Sequence, residues 1–91
     1  MVQVKFLAAF KDIAGEGKID LEYNGNVSGL ISLLVEKYGE EFQKTLFNEE
    51  GSIKEYIKIM VNNEDINSTE KLDNLVNDED KVVIFQTIAG G

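Results

Sequence analysis

The last two residues, Gly90 and Gly91, are the part of this sequence best suited to covalent chemistry. They follow Ile88 and Ala89, so an apolar stretch runs into a backbone without side chains and then into a terminal carboxylate. Because glycine lacks a Cβ atom, such a segment can enter a narrow slot that would reject a larger residue. Although chain ends are often merely disordered, we expect a partner enzyme to reach and activate the Gly91 carboxylate.

The composition argues against a self-contained active site. The sequence has no cysteine and no histidine, which removes thiolate metal sites, the usual zinc ligand and the Ser-His and Cys-His nucleophile pairs. The acidic groups Glu40-Glu41, Glu49-Glu50 and Asp78-Glu79-Asp80 lack the spacing of a calcium-binding loop. We therefore expect no bound metal, and the sequence disfavours a free-standing hydrolase or metalloenzyme.

Length and charge restrict the class of protein further. The 91 residues suffice for one small domain, and a hydrophobic fraction of 43% is ordinary for a folded globule. The net charge of -8 should repel nucleic acid and anionic membranes. No apolar run approaches the roughly 20 residues that span a bilayer, and the first residues alternate like a strand instead of forming a signal peptide. We expect a cytoplasmic protein.

Hydrophobic periodicity predicts two strands, then a helix. Residues 2–10 alternate as a half-buried strand, residues 11–17 form a polar break, and residues 19–23 form a second strand. Asn26 is a good N-cap for the main amphipathic helix, whose apolar residues recur at helical spacing from Val27 to Tyr38 until Gly39 supplies a stop. Residues 40–47 form a second short helix or turn.

The second half of the sequence predicts further strands. Residues 56–61 form the third strand, Asn62 and Asn63 a turn, and Asp65-Ile66 the start of a short edge strand. Leu72 and Leu75 are expected in the core, and residues 81–86 form the last strand. Packing a sheet around one main helix is the natural solution for this order, which indicates an α+β fold. The folded domain is predicted over residues 1–86, with a flexible tail over residues 87–91.

This element order with a terminal Gly-Gly resembles the ubiquitin-like β-grasp fold, and more narrowly the MoaD/ThiS family of sulfur carriers. The resemblance covers the whole chain. The segments that carry it are Val4-Lys5-Phe6-Leu7-Ala8, Val27-Ser28-Gly29-Leu30-Ile31, residues 59–66, and residues 80–85 running into Ile88-Ala89-Gly90-Gly91. Two departures stand out, since Glu79 occupies a turn position where the family usually has glycine, and Gln86-Thr87 replaces a usual proline.

The resemblance implies a carrier and not an enzyme. An activating enzyme would use ATP to adenylate the Gly91 carboxylate, and a sulfur donor would then leave a thiocarboxylate on it. The carrier itself would bind no cofactor. The sulfur would pass to a second partner, such as the large subunit of molybdopterin synthase, for a MoaD-like carrier. Two alternatives stay open: a CysO-type carrier that supplies a cysteine-synthase-like enzyme, and a ubiquitin-like modifier joined to lysines. A third possibility is a plain interaction domain whose terminal glycines are incidental.

Three apolar residues are expected to form a docking patch. Leu7, Val83 and Phe85 point away from the face of the sheet that carries the core, by strand alternation. The resemblance makes the first and last strands neighbours, so the three side chains should cluster. Scattered surface apolar residues are common, but the helix covers the opposite face, which favours a patch for the activating and sulfur-accepting enzymes. The many acids of the sequence suggest an acidic rim around it.

Overall fold

The computed structural model describes residues 1–66 and 72–86, in which helices pack on one face of a five-stranded mixed sheet. In chain order the elements are β1 (Val2–Phe6), α1 (Ala9–Ala14), β2 (Lys18–Leu21), β3 (Gly25–Asn26), α2 (Val27–Tyr38), α3 (Glu40–Leu46), β4 (Ile57–Val61), β5 (Glu64–Asp65), β6 (Leu75–Val76) and β7 (Lys81–Gln86). The strand order is β2-β1-β7-β4-β5, and β3 pairs with β6 in a separate ribbon. The predicted α+β fold, with a mixed sheet and one main helix, is confirmed.

The two central strands are the first and the last, and they run parallel. Val4 lies beside Val82, and Phe6 lies beside Ile84. The outer neighbours β2 and β4 are both antiparallel to the central pair. Alternate residues of the central pair are almost completely buried, because each strand hides one face and exposes the other; they are Val2, Val4, Phe6, Val82 and Ile84.

The main helix begins and ends where the sequence predicts. The Asn26 side chain accepts a hydrogen bond of 2.8 Å from the Gly29 N–H, which satisfies a backbone donor that has no partner within the helix. The helix buries Val27, Leu30, Ile31 and Leu34 on one face and ends at Tyr38, before Gly39. The short helix expected over residues 40–47 is present as α3.

Gly29 lies inside the first turn of α2 because a tyrosine side chain occupies the space beside it. The Tyr23 hydroxyl donates a 2.6 Å hydrogen bond to the carbonyl oxygen of Asn26. A Cβ atom built on Gly29 would lie 2.2 Å from that hydroxyl oxygen. Burial raises the pKa of the Tyr23 phenol above its usual value, so the group stays a neutral donor. The Tyr23 side chain thereby stabilises the segment that connects β2 to α2.

An aromatic cluster joins the three helices to the sheet. Phe42 of α3 contacts three other rings, with centroid distances of 6.1 Å to Phe6, 5.4 Å to Phe10 and 5.6 Å to Tyr38. The first two contacts are edge-on, an arrangement that aromatic rings favour. Phe42 therefore anchors α3 beside the end of β1.

The segment after β1 differs from its prediction. The sequence predicts that a single strand continues to Phe10, but β1 stops at Phe6 and residues 9–14 form α1. Phe10 is buried as expected, although from a helix, where Ile13 and Ala14 share its face at spacings of three and four residues. Ala8, at φ 54°, makes the change of direction. Phe6, Ala8 and Phe10 also fit the alternation of a strand, so the sequence pattern does not reveal that β1 ends at Phe6.

Two further differences concern the segment before β7. Leu72 packs against the core, but Leu75, expected in the core, is 69% exposed. It belongs to the short strand β6, in which the buried residue is Val76, and β6 pairs with Gly25 and Asn26. A two-residue pairing of this kind depends on contacts distant in sequence, so no local pattern predicts it.

Turn geometry explains one of the departures noted in the sequence. Asn62 and Asn63 connect β4 and β5 with φ values of 52° and 70°, the left-handed conformation that asparagine tolerates. Glu79, in the acidic turn before β7, also has a positive φ of 71°. Glutamate thus adopts a backbone conformation that favours glycine.

Candidate functional site

The last strand positions the end of the chain. β7 is hydrogen-bonded to β1 on one side and to β4 on the other, and its final residue, Gln86, lies opposite Ile57. Ile88, Ala89, Gly90 and Gly91, together with the flexibility predicted for residues 87–91, lie outside the described residues. The described part of the chain therefore supplies a fixed starting point for these residues in the middle of the sheet.

The outer face of the sheet brings the three predicted patch residues together. Val83 and Phe85 lie two residues apart on β7 and are half-buried. The Leu7 N–H donates a 3.2 Å hydrogen bond to the Ile84 carbonyl, so the β1–β7 ladder continues past β1 and sets Leu7 beside Phe85. The Leu7 side chain is 39% exposed. The three residues form one apolar area beside the end of β7, whereas their role in partner binding stays a prediction.

Met60 extends this apolar area. It lies directly opposite Val83 on β4 and is half-buried. The sequence analysis does not single it out, although the alternation of β4 contains the signal: Ile57, Ile59 and Val61 share one face of the strand, so Met60 faces the other way. Leu7, Met60, Val83 and Phe85 together form the outer patch.

The strand residues that border the outer patch carry both signs of charge: two are lysines, and Asp65 lies opposite Met60 on β5, so the border is not uniformly acidic as the composition suggested. Lys5 lies beside Val83, and Lys58 lies opposite Phe85. The Lys58 ammonium forms a 3.0 Å ion pair with Asp65 at the edge of the sheet. The overall excess of acids therefore does not describe the local surroundings of this patch, because charge is distributed unevenly over the surface.

The opposite end of the sheet carries an exposed ion pair. The Met1 amino group hydrogen-bonds to the Asp78 carboxylate, and the Met1 carbonyl accepts a 3.0 Å hydrogen bond from the Glu79 N–H. The hydrogen bond from Met1, and then its charge, lower the pKa of Asp78 below its usual value of 3.8. The hydrogen bond to Asp78 chiefly raises the pKa of the Met1 amine above 8.0. Because β1 and β7 are parallel, the ion pair between Met1 and Asp78 lies near the start of β7 and far from Gln86. It stabilises the start of that strand.

A polar groove lies beside the end of β7. It has a volume of about 410 Å³. Its lining consists of Glu40, Glu41, Lys44, Thr45, Lys54, Tyr56 and Gln86.

Among the described residues, no group of three or more acids, histidines or cysteines is placed to hold a metal ion. In the same part of the chain, no helix has the length and apolar character needed to cross a membrane.

Comparison of the sequence with models of protein families gives one match. The model of the ThiS family matches residues 4–91 of the chain. No curated protein sequence matches it.

Solved structures of similar shape come from several small proteins. The chain is similar to the small archaeal modifier protein 1 (SAMP1) of Methanosarcina acetivorans, with 26% identity and a TM-score of 0.79 over 99% of this chain and 95% of that one. It is similar to the putative molybdopterin converting factor, subunit 1, of Pyrococcus furiosus, with 26% identity and a TM-score of 0.71 over 96% and 97%. CysO of Mycobacterium tuberculosis, at 21% identity and a TM-score of 0.81 over 97% and 100%, shares the fold.

Proposed function

This chain belongs to the ThiS family, a group of ubiquitin-like sulfur carriers, and we propose that it carries sulfur as a thiocarboxylate on Gly91. The carboxylate oxygen of Gly91 attacks the α-phosphorus of ATP in an activating enzyme, so that pyrophosphate leaves and an acyl adenylate forms. A sulfur donor then attacks the carbonyl carbon and AMP leaves. The attacking sulfur is at the oxidation level of hydrosulfide and loses its proton, so the carboxylate exchanges one oxygen for sulfur without a redox step. The carrier supplies the reacting group, and the partner enzymes supply the catalytic groups.

One observation carries this proposal: the family match extends to residue 91, the terminal glycine. The structure supports it, because the chain leaves the centre of the sheet at Gln86, which pairing with β4 holds in place. Five residues can extend at most about 18 Å. When an enzyme binds the outer patch, Gly91 therefore lies no farther than that distance from the end of β7. Fixing the reacting group near its target in this way replaces a bimolecular encounter with an oriented step.

The outer patch is the proposed docking surface for both partners. Phe85 and Val83 belong to the same strand that leads to the tail, so binding at these residues also fixes the direction in which the tail leaves. An apolar contact area that includes an aromatic side chain is typical of the energetically dominant centre of a protein interface. Val83→Ser and Phe85→Ser should weaken activation of Gly91.

For the pathway, we propose a MoaD-like role in molybdopterin biosynthesis, with the sulfur passing to a molybdopterin synthase large subunit in the cytoplasm. The likeness to the Pyrococcus converting factor subunit favours it. The CysO-type role, in which a cysteine-synthase-like enzyme accepts the sulfur, is an alternative. The likeness to an archaeal modifier protein favours conjugation to lysines as a further alternative, since a lysine amine can capture the same adenylate.

ATP–pyrophosphate exchange tests the activation step. An adenylating enzyme of the same organism should catalyse exchange with the full chain and should lose it when Gly90 and Gly91 are deleted. A Gly17→Ala variant is the matched control, because its new Cβ meets only the Lys11 side chain, at 3.5 Å. Exchange that survives the deletion, with the fold intact in all variants, would show that the terminal glycines are incidental.

The fate of the sulfur separates the three roles. The loaded chain should convert a molybdopterin precursor to the dithiolene with the synthase large subunit. Cysteine formed with a cysteine-synthase-like enzyme would instead support the CysO-type role. Heavier conjugates in a cell extract that disappear with Gly91 would support the modifier role.

A further inference from the structure

Positive charge is concentrated on the outer face of the sheet, although the protein is strongly acidic. Within residues 1–66 and 72–86, strand positions on this face hold four of the chain's nine lysines and two of its seventeen acids. They are Lys5, Lys18, Lys58 and Lys81, against Asp20 and Asp65. The remaining surface is therefore more acidic than the overall charge of -8 suggests. The chain presents one basic face and an acidic remainder.

Two of these lysines are arranged unfavourably for the isolated domain. Lys5 and Lys18 lie directly opposite each other on β1 and β2. Neither forms an ion pair with any described residue, and both are exposed. Like charges at directly opposed positions of an antiparallel pair are destabilising. Carboxylates placed near the two ammonium groups would remove this repulsion. Among the described residues, the nearest acid on this face is Asp20, two residues beyond Lys18 on β2, and it forms an ion pair with neither lysine.

We propose that the outer face docks an acidic protein surface, in which carboxylates surround an apolar contact, on the enzyme that activates Gly91. The inference rests on the proposed function, which requires such an enzyme. The outer patch fills the apolar contact, and Lys5, which lies between Val83 and Lys18, meets the surrounding carboxylates. Complementary charges at the border of an interface fix its register and speed the encounter.

The distribution of charge favours a protein partner over an extended polyanion. A nucleic acid or an anionic membrane would bring its charge close to the acidic remainder of the surface as well as to the basic face, and the net charge opposes that approach. A protein can confine its carboxylates to the area facing Lys5 and Lys18. The apolar centre of the face also fits a protein pocket.

The test measures ATP–pyrophosphate exchange by an adenylating enzyme of the same organism as a function of chain concentration. The double variant Lys5→Glu/Lys18→Glu should raise the KM for the chain about tenfold, with kcat unchanged, because the face contacts no reacting atom. The rise should shrink as salt increases from about 0.05 to about 0.3 M. This variant exchanges one like-charge pair for another, so it retains a fold comparable to that of the wild type.

The matched control is Lys11→Glu/Lys37→Glu, which makes the same change in net charge on α1 and α2. Its KM should stay within about twofold of the wild type. An equal rise in KM for both double variants, or no rise in either, would overturn the inference while the exchange by the wild type upholds the proposed function. Absence of exchange with the wild type would overturn both.

Two further probes address the other occupants. Vesicles that contain phosphatidylserine, and a single-stranded DNA oligonucleotide, should bind the chain no better than they bind its Lys5→Glu/Lys18→Glu variant. Lysine-dependent binding to either probe that is tighter than binding to the enzyme would overturn the assignment of a protein partner.

Lys18→Gln should also raise the melting temperature of the free domain while it raises the KM, a combination that a purely structural lysine would not give.

Discussion

Replacing Gly29 by alanine should destabilise the domain, although alanine is the better helix former. The helix alone would gain up to about 1 kcal/mol from the change. However, the new Cβ would lie 2.2 Å from the Tyr23 hydroxyl oxygen, so the tyrosine must move. It then loses its hydrogen bond to Asn26, which contributes about 1 kcal/mol, and part of its packing against the core, about 1–2 kcal/mol more. We expect a net loss of about 1–2 kcal/mol.

A double-mutant cycle with Tyr23→Phe tests this reasoning. Without the hydroxyl, the nearest tyrosine atom to the new Cβ is the ring carbon Cζ at 3.4 Å, an ordinary contact. The Asn26 Oδ1 atom still lies 3.3 Å from the new Cβ and offsets part of the gain in helix propensity, so Gly29→Ala should be close to neutral in this background. Urea denaturation followed by circular dichroism measures all four proteins, with Gly17→Ala as a control near zero. Equal losses from Gly29→Ala in both backgrounds would refute the role of the hydroxyl.

Three other changes have definite expected outcomes. Glu79→Gly should stabilise the domain by about 0.5–1 kcal/mol in urea denaturation, because it relieves a left-handed glutamate, whereas Glu36→Gly within α2 should cost about 1 kcal/mol; the same sign for both would contradict this. Asn26→Ala should cost about 1 kcal/mol through loss of the N-cap, and an unchanged midpoint would refute the cap. Asp78→Asn should lower the melting temperature near neutral pH. The difference should vanish as pH falls through the lowered pKa of Asp78, below 3.8, and as pH rises through the raised pKa of Met1, above 8.0; a difference constant with pH would exclude the ion pair.

Elements with a strong local pattern could be predicted from the sequence. α2 combines an N-cap, a regular apolar face and a terminal glycine, and β7 combines alternation with a preceding turn, so both begin and end close to their predicted bounds. α1 has only six residues, and its one fully buried residue, Phe10, also fitted the alternation of β1. β6 forms by pairing with Gly25 and Asn26, which are distant in sequence. Such short elements depend on tertiary contacts more than on propensity.

The candidate site shows the same contrast between features that a local pattern predicts and features that depend on pairings distant in sequence. The outward direction of Leu7, Val83 and Phe85 follows from alternation within single strands, and the structure places them on the outer face. Their border of two lysines and one aspartate could not be predicted in this way. It depends on which residue of β1 or β4 lies opposite each residue of β7, and only the register of the sheet gives that pairing. Overall composition predicted an acidic border, whereas the described strands place two lysines and one aspartate beside the patch.

The most direct test of the proposed function is the location of sulfur on the chain after loading. The purified protein should be incubated with ATP, the adenylating enzyme and a sulfur donor, and its intact mass and C-terminal fragments then measured. Exchange of one oxygen for sulfur should add about 16 Da, found only in fragments that contain Gly91 and only when ATP is present. An unchanged mass after verified adenylate formation, or sulfur located on any other residue, would contradict the account.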